Sequence, residues 1–177
     1  KDDKSRIHAQ IDLCSAYRLG NTDSSLYYGS QALKSARKID YPVGEILALS
    51  FMSITLEQLG NLPMSLEMSF KALQIAKLNN LENITSPALN AIGEVYIVLK
   101  DYPKALSFLE KQRKLYEDGN VNDGLGYALY DIGIVYEETN QLDSAMSYEM
   151  QALDLFKSLN REEPLVFKVL GNIELKS

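Results

Sequence analysis

Shifted against itself by forty residues, this sequence comes back into register. Leu19-Gly20-Asn21 falls on Leu59-Gly60-Asn61, then on Leu99-Lys100-Asp101 and Thr139-Asn140-Gln141. Ala32-Leu33 likewise falls on Ala72-Leu73, Gln112-Arg113 and Ala152-Leu153, and Gly44 and Gly124 stand two periods apart. A fixed period of this size marks stacked supersecondary units, each too small to bury its own apolar face.

Each period reads as helix, tight turn, helix and looser link. In the second, Ile46, Leu49, Met52, Leu56 and Leu59 lie at helical spacing and predict a first helix from about Gly44 to Leu59. Leu66, Phe70, Leu73 and Ala76 predict a second, from about Pro63 to Leu78. Ser86-Pro87 reads as an N-cap followed by proline at the first helical position, and Pro63, Pro103 and Pro164 open helices in the same way. The stretches 79–83 and 118–123 have loop composition. No segment alternates with the period of two that a strand needs, so the expected class is all-α.

The residues at repeat positions resemble the tetratricopeptide repeat family. The fourth period shows it best, with Leu129, Ile132-Gly133, Tyr136, Asn140, Leu142, Ala145, Tyr148 and Ala152-Leu153. The third matches at Leu89, Ile92-Gly93, Tyr96, Tyr102, Ala105 and Leu109 but departs at Gln112. In the second, Met52-Ser53 replaces Leu-Gly, Leu56 replaces Tyr and Ser65 replaces Ala; the first keeps Leu13, Tyr17, Gly20 and Ala32-Leu33 with a turn one residue shorter. A fifth begins with Phe167 and Leu170-Gly171-Asn172.

The resemblance implies a right-handed superhelical solenoid of antiparallel helix pairs. It makes the chain one array, with repeats at about 5–43, 44–85, 86–124 and 125–164 and a partial fifth at 165–177. Gly93 and Gly133, with Ala105 and Ala145, are expected where the two helices of a hairpin approach closely. Tyr96 and Tyr136 are expected to fill the groove between neighbouring hairpins. The period exceeds the family's usual length of about thirty-four, so each hairpin needs longer helices or links. Long-period arrays of this kind occur in motor light chains, polarity adaptors, Gram-positive peptide-sensing regulators and bacterial histidine kinases. The wording of residues 127–136 resembles most the sensor regions of histidine kinases, notably of Bacteroidota.

Composition narrows the function. A net charge of −6 disfavours nucleic acid as the main partner, because phosphate binding needs clustered Lys and Arg. The basic residues Lys34, Arg37, Lys38, Lys77, Lys111, Arg113 and Lys114 sit late in expected helices, where they complement the helix dipole. No run approaches the roughly eighteen consecutive apolar residues of a membrane span, and Lys1-Asp2-Asp3-Lys4 does not read as a signal peptide, so no direct membrane insertion is expected. The compartment is left open, cytoplasm or periplasm being expected for part of a bacterial sensor kinase.

The chain offers little for chemistry. His8 is its one histidine, and Cys14, its one cysteine, occupies the small-residue position of its repeat as an expected buried space-filler. There is no G-x-x-x-x-G-K-[ST] loop. Asn83-Ile84-Thr85 fits a glycosylation acceptor, a pattern common by chance. Of eleven tyrosines, Tyr17, Tyr96, Tyr136 and Tyr148 fall at packing positions. The carboxylates form no arrangement suited to acid–base work, and Glu137 and Glu138 point in different directions on their helix. No catalytic residue, cofactor or metal is expected.

Binding remains. In arrays of the resembled family the first helix of each pair, helix A, lines the concave surface, and the register then places candidate contact residues there. They are Asp12, Ser15 and Arg18 in the first repeat, and Ser50, Ile54, Glu57 and Gln58 in the second. The third offers Asn90, Glu94 and Ile97, and the fourth Tyr127, Tyr130, Ile134, Glu137 and Glu138. This acidic, partly aromatic set suits an extended peptide or helix carrying basic and apolar residues. Arg18 and Asn90 alone do not rebuild the carboxylate clamp of the chaperone-binding subgroup.

The expectation is therefore a non-catalytic protein- or peptide-binding module, the sensory or scaffolding part of a bacterial signal-transduction protein such as a histidine kinase or regulator. The alternative is a stand-alone adaptor. A cytoplasmic pheromone receptor is less favoured, since no helix-turn-helix is present. Leu165, Val166, Phe167, Val169, Leu170 and Ile173 make the last segment apolar on more than one side, so it is expected to be a cut edge that either self-associates or leaves its last turns frayed.

Overall fold

The computed structural model describes residues 2–159. Regular structure among them is helical throughout: α1 (Asp2–Tyr17), α2 (Thr22–Lys38), α3 (Pro42–Gln58), α4 (Leu62–Asn79), a 3-10 turn (Glu82–Ile84), α5 (Ser86–Val98), α6 (Tyr102–Asp118), α7 (Asn122–Glu138) and α8 (Leu142–Ser158). Pro164, the fifth repeat and the expected self-associating edge lie outside the described residues.

The forty-residue period divides into two halves of twenty. Left-handed backbone occurs at Asp40, Gly60, Asn80, Lys100, Asn120 and Asn140, with φ between 50° and 74°. The next N–H in each case donates back across the helix end: Tyr41 to Ala36, Asn61 to Leu56, Leu81 to Ala76, Asp101 to Tyr96, Val121 to Tyr116 and Gln141 to Tyr136, at 2.8–3.0 Å. This is the Schellman closure, which satisfies orphan carbonyls and favours Gly or Asn at the left-handed position. Five of the six residues there are Asp, Asn or Gly; Lys100 is the exception.

The uniform closure corrects the expected contrast between tight turns and looser links. The connection from α6 to α7 spans only residues 119–121, as short as 59–61. The α1–α2 connection, 18–21, is one residue longer, and the chain between α4 and α5 is the longest; there the 3-10 turn intervenes and α5 is shortened to 13 residues. The extra length of the period therefore lies in the helices, 17 residues in α2, α3, α6, α7 and α8. At the start of α5, Ser86 is already in the helix: Thr85 supplies the first carbonyl, accepting from Leu89 N–H at 3.0 Å. Pro63 and Pro103 sit in first turns as expected.

The chain forms two compact units, with the boundary between Val95 and Tyr96. In the first, α1 packs on α2 and α3, α2 on α3, and α3 on α4. The buried stripe of α2 (Ser25, Gly29, Ala32, Ala36) recurs in α4 as Ser65, Ser69, Ala72 and Ala76. Side chains this small bring the helices close; a Cβ on Gly29 would run into the Met52 side chain and Cys14 Sγ. Cys14 is fully buried, in keeping with its expected space-filling role.

In the second unit, α6 packs on α7 and α7 on α8. Here the equivalent stripe is bulkier: Ala105, Leu109 and Gln112 on α6, and Ala145, Glu149, Ala152 and Phe156 on α8. Gly133 takes up part of that bulk, since a Cβ there would stand 3.0 Å from Glu149 Cγ and 3.5 Å from the Ala145 carbonyl oxygen. Tyr96 and Tyr136 pack against a core drawn from neighbouring hairpins, Ala105 and Leu109 of α6 with Ile132 and Val135 of α7, and each also stacks within its own hairpin. Tyr96 stacks on Phe108 and Tyr136 on Tyr148, joining the A and B helices of one hairpin, as Tyr17 and Tyr28 do in the first unit.

Candidate functional site

Four of the projected A-helix residues come together in the first unit. Arg18, just past α1, and Glu57, in the last turn of α3, occupy the same register position in successive repeats. Glu94 and Asn90 stand one turn apart on α5, and the Asn90 amide donates to Glu94 Oε1 at 3.2 Å. The Glu57 and Glu94 carboxyls lie close enough on α3 and α5 to act on one another. The Arg18 guanidinium acts on both, and its Nε is buried without a hydrogen-bond partner.

The electrostatics follow from burial. Desolvation, with the Glu94 carboxyl beside it, raises the Glu57 carboxyl to about 7, and the Arg18 charge works against the rise. Glu94 is also raised by burial, opposed by its hydrogen bond from Asn90 and by the neighbouring Glu57 and Arg18. Two carboxyls, one guanidinium and one amide thus present acceptors and donors on one patch. Sequence reasoning named all four residues but found no carboxyl pair, because the two acids lie on different helices.

The other projected residues are dispersed. Asp12 and Gln58 are exposed and Ser15 is half-buried. Ser50 is buried and turns its hydroxyl back onto the Ile46 carbonyl, while Ile54, 4% exposed, offers almost no surface. In the second unit Ile97 packs against a core of Ala105, Leu109, Ile132 and Val135. Tyr127 meets Phe156 edge-on with ring centres 5.2 Å apart, and Tyr130 is only 5% exposed. Ile134 and Glu137 are half-buried; Glu138 is exposed and accepts a hydrogen bond from the Tyr102 hydroxyl at 3.1 Å.

Elsewhere the polar residues have packing roles. His8 Nε2 lies 2.8 Å from the Tyr41 hydroxyl, tying α1 to the start of α3. Burial pushes the Cys14 thiol up. Among the described residues no group of three His, Cys, Asp or Glu side chains is placed to hold a metal ion, and no helix is long and apolar enough to cross a membrane.

Paired helices closed at a constant interval, small residues at the crossings and a stacked aromatic pair in the hairpin define a helical-repeat fold of tetratricopeptide type. Residues 84–158 match the tetratricopeptide repeat family model. The fold is similar to that of aspartyl phosphate phosphatase F from Bacillus subtilis, at 16% identity and a TM-score of 0.81, covering 99% of this chain and 46% of that one. A Rap protein complexed with Competence and Sporulation Factor matches at 14% identity and a TM-score of 0.81, over 99% of this chain and 55% of that one. A putative kinesin light chain of P. anserina with nearly identical TPR-like repeats matches at 12% identity and a TM-score of 0.70, over 99% and 87% of the two chains. The chain spans about half the length of the first two. No curated protein sequence matches it. At these identities the likeness establishes the fold, a tetratricopeptide-like helical solenoid.

Proposed function

We propose that this chain is a non-catalytic module that binds a peptide or protein segment on the A-helix face of its first unit, as the sensory or scaffolding part of a bacterial signal-transduction protein. The observation that carries the reading is the convergence of Arg18, Glu57, Asn90 and Glu94 from three successive A helices. Donors and acceptors are gathered there from successive helices, which suits recognition of a backbone together with a basic side chain. The similarly folded Rap protein complexed with Competence and Sporulation Factor favours a ligand-binding role over a purely architectural one. The signalling assignment rests on the long repeat period and on that neighbour.

Selection of a displayed random peptide library on the purified chain tests it. The enriched peptides should carry Lys or Arg among apolar residues, and should lose binding to a Glu57→Lys/Glu94→Lys variant whose helical circular dichroism is unchanged. Enrichment of acidic peptides, or binding indifferent to that double change, contradicts the proposal.

A further inference from the structure

Three residues of α1 are exposed although every counterpart in the later repeats is buried. Ala9, Leu13 and Ala16 correspond to Ala48, Met52 and Thr55 of α3, to Ala88, Ile92 and Val95 of α5, and to Ala128, Ile132 and Val135 of α7. None of those counterparts is more than 6% exposed, whereas Leu13 is 38% exposed and Ala9 and Ala16 also lie open. The first unit shows what does the covering. On α3, Ala48 packs with Ala32 and Ala36 of α2, Met52 lies against Gly29, and the Thr55 hydroxyl is 2.8 Å from that of Ser25. The face of α3 is thus shaped to the small-residue stripe of α2, and α1 carries the same face uncovered.

A second feature extends the surface. Tyr17, 39% exposed, stacks on Tyr28, which meets Tyr27 edge-on with ring centres 5.3 Å apart. Tyr27 is 60% exposed, and its counterparts Glu67, Ser107 and Ser147 are polar. An aromatic ring left in water where the other repeats place polar groups marks a contact surface. We propose that Ala9, Leu13 and Ala16, with Tyr17 beside them, form a docking surface for a helix of a partner protein. That helix carries Ser, Gly or Ala at spacings of four, three and four, as α2 does at Ser25, Gly29, Ala32 and Ala36. The α2–α3 contact sets this chemistry, because small side chains let one helix settle closely onto the other. The described residues of a second copy have no such stripe to offer, since those of α2, α4, α6 and α8 are buried in their own repeats. The surface does not use Glu57, Asn90 or Glu94 and stands apart from the peptide-binding proposal.

The probe is a synthetic helix copying residues 21–41, locked by a lactam between positions 30 and 34 on its exposed side and titrated into the whole chain. Amide chemical shifts should saturate, centred on α1, with α7 and α8 silent. Leu13→Glu/Ala16→Glu changes exposed positions and should keep the helical circular dichroism. It should weaken binding about 10-fold or more, because each carboxylate would be pressed against the partner without a counter-charge. Gly29→Leu in the probe should weaken binding likewise, whereas Glu57→Lys/Glu94→Lys in the chain should leave it unchanged. Absence of saturable shifts on α1, shifts on α3 in their place, or equal binding by the Leu13→Glu/Ala16→Glu chain would overturn the proposal. So would light scattering that finds the wild-type chain dimeric and that variant monomeric, which makes a second copy the occupant.

Discussion

Tyr136 and Tyr148 lie nearly parallel, ring centres 5.4 Å apart and planes 16° from one another, and so join α7 to α8. The same pair recurs twelve or eleven residues apart as Tyr96–Phe108 and Tyr17–Tyr28, at 5.9 and 5.7 Å. In the second repeat the equivalent positions hold Leu56 and Met68. An offset aromatic pair contributes beyond its buried area, whereas Leu and Met fill the same space without that term. Replacing Tyr136 and Tyr148 together by Leu and Met should therefore cost only about 1 kcal/mol. Tyr148→Ala, which leaves a cavity and frees Glu110 from the Tyr148 hydroxyl, should cost about 2–4 kcal/mol. Urea unfolding checks both; equal losses would mean that the ring pair has no special role.

Lys100 occupies a left-handed position, φ 58°, that Asn, Asp or Gly fills at the other five helix ends. A long side chain gains nothing there and bears the steric cost of that conformation. Lys100→Asn should stabilise the chain by roughly 1 kcal/mol, and Asn140→Lys should destabilise it by a similar amount. Asn140→Gly should be mild, as Gly60 already serves in the matching turn. Thermal midpoints decide, and a stabilising Asn140→Lys would refute the account of the turns.

Ala145 is fully buried on α8, and its carbonyl lies next to Gly133 of α7. Ala145→Leu should overpack that crossing and cost roughly 1–3 kcal/mol. An unchanged melting temperature would show that the two helices do not meet where the structure places them.

The class of fold was legible because periodicity is a one-dimensional property: Gly133, Ala145 and the repeat tyrosines recur at fixed intervals whatever the helices do in space. The halving of the period at Asp40, Gly60, Asn80, Lys100, Asn120 and Asn140 was also present in the sequence. It was obscured because residues of several kinds serve one backbone conformation, and Lys100 breaks the pattern. The site was half legible. Register alone put Arg18, Glu57, Asn90 and Glu94 on A helices, but whether two acids on different helices touch depends on how closely α3 and α5 approach. Ile54 failed as a surface residue for the converse reason: projection onto an isolated helix leaves out the neighbour that covers it.

The most direct test of the binding account is an amide chemical-shift titration of the chain with a lysine-containing peptide taken from the displayed library. The account predicts that the largest shifts fall around Arg18, Glu57, Asn90 and Glu94 and disappear in the Glu57→Lys/Glu94→Lys variant. Shifts confined to the outer faces of α2 and α4, around Tyr27 and Phe70, with the A helices silent, would contradict it.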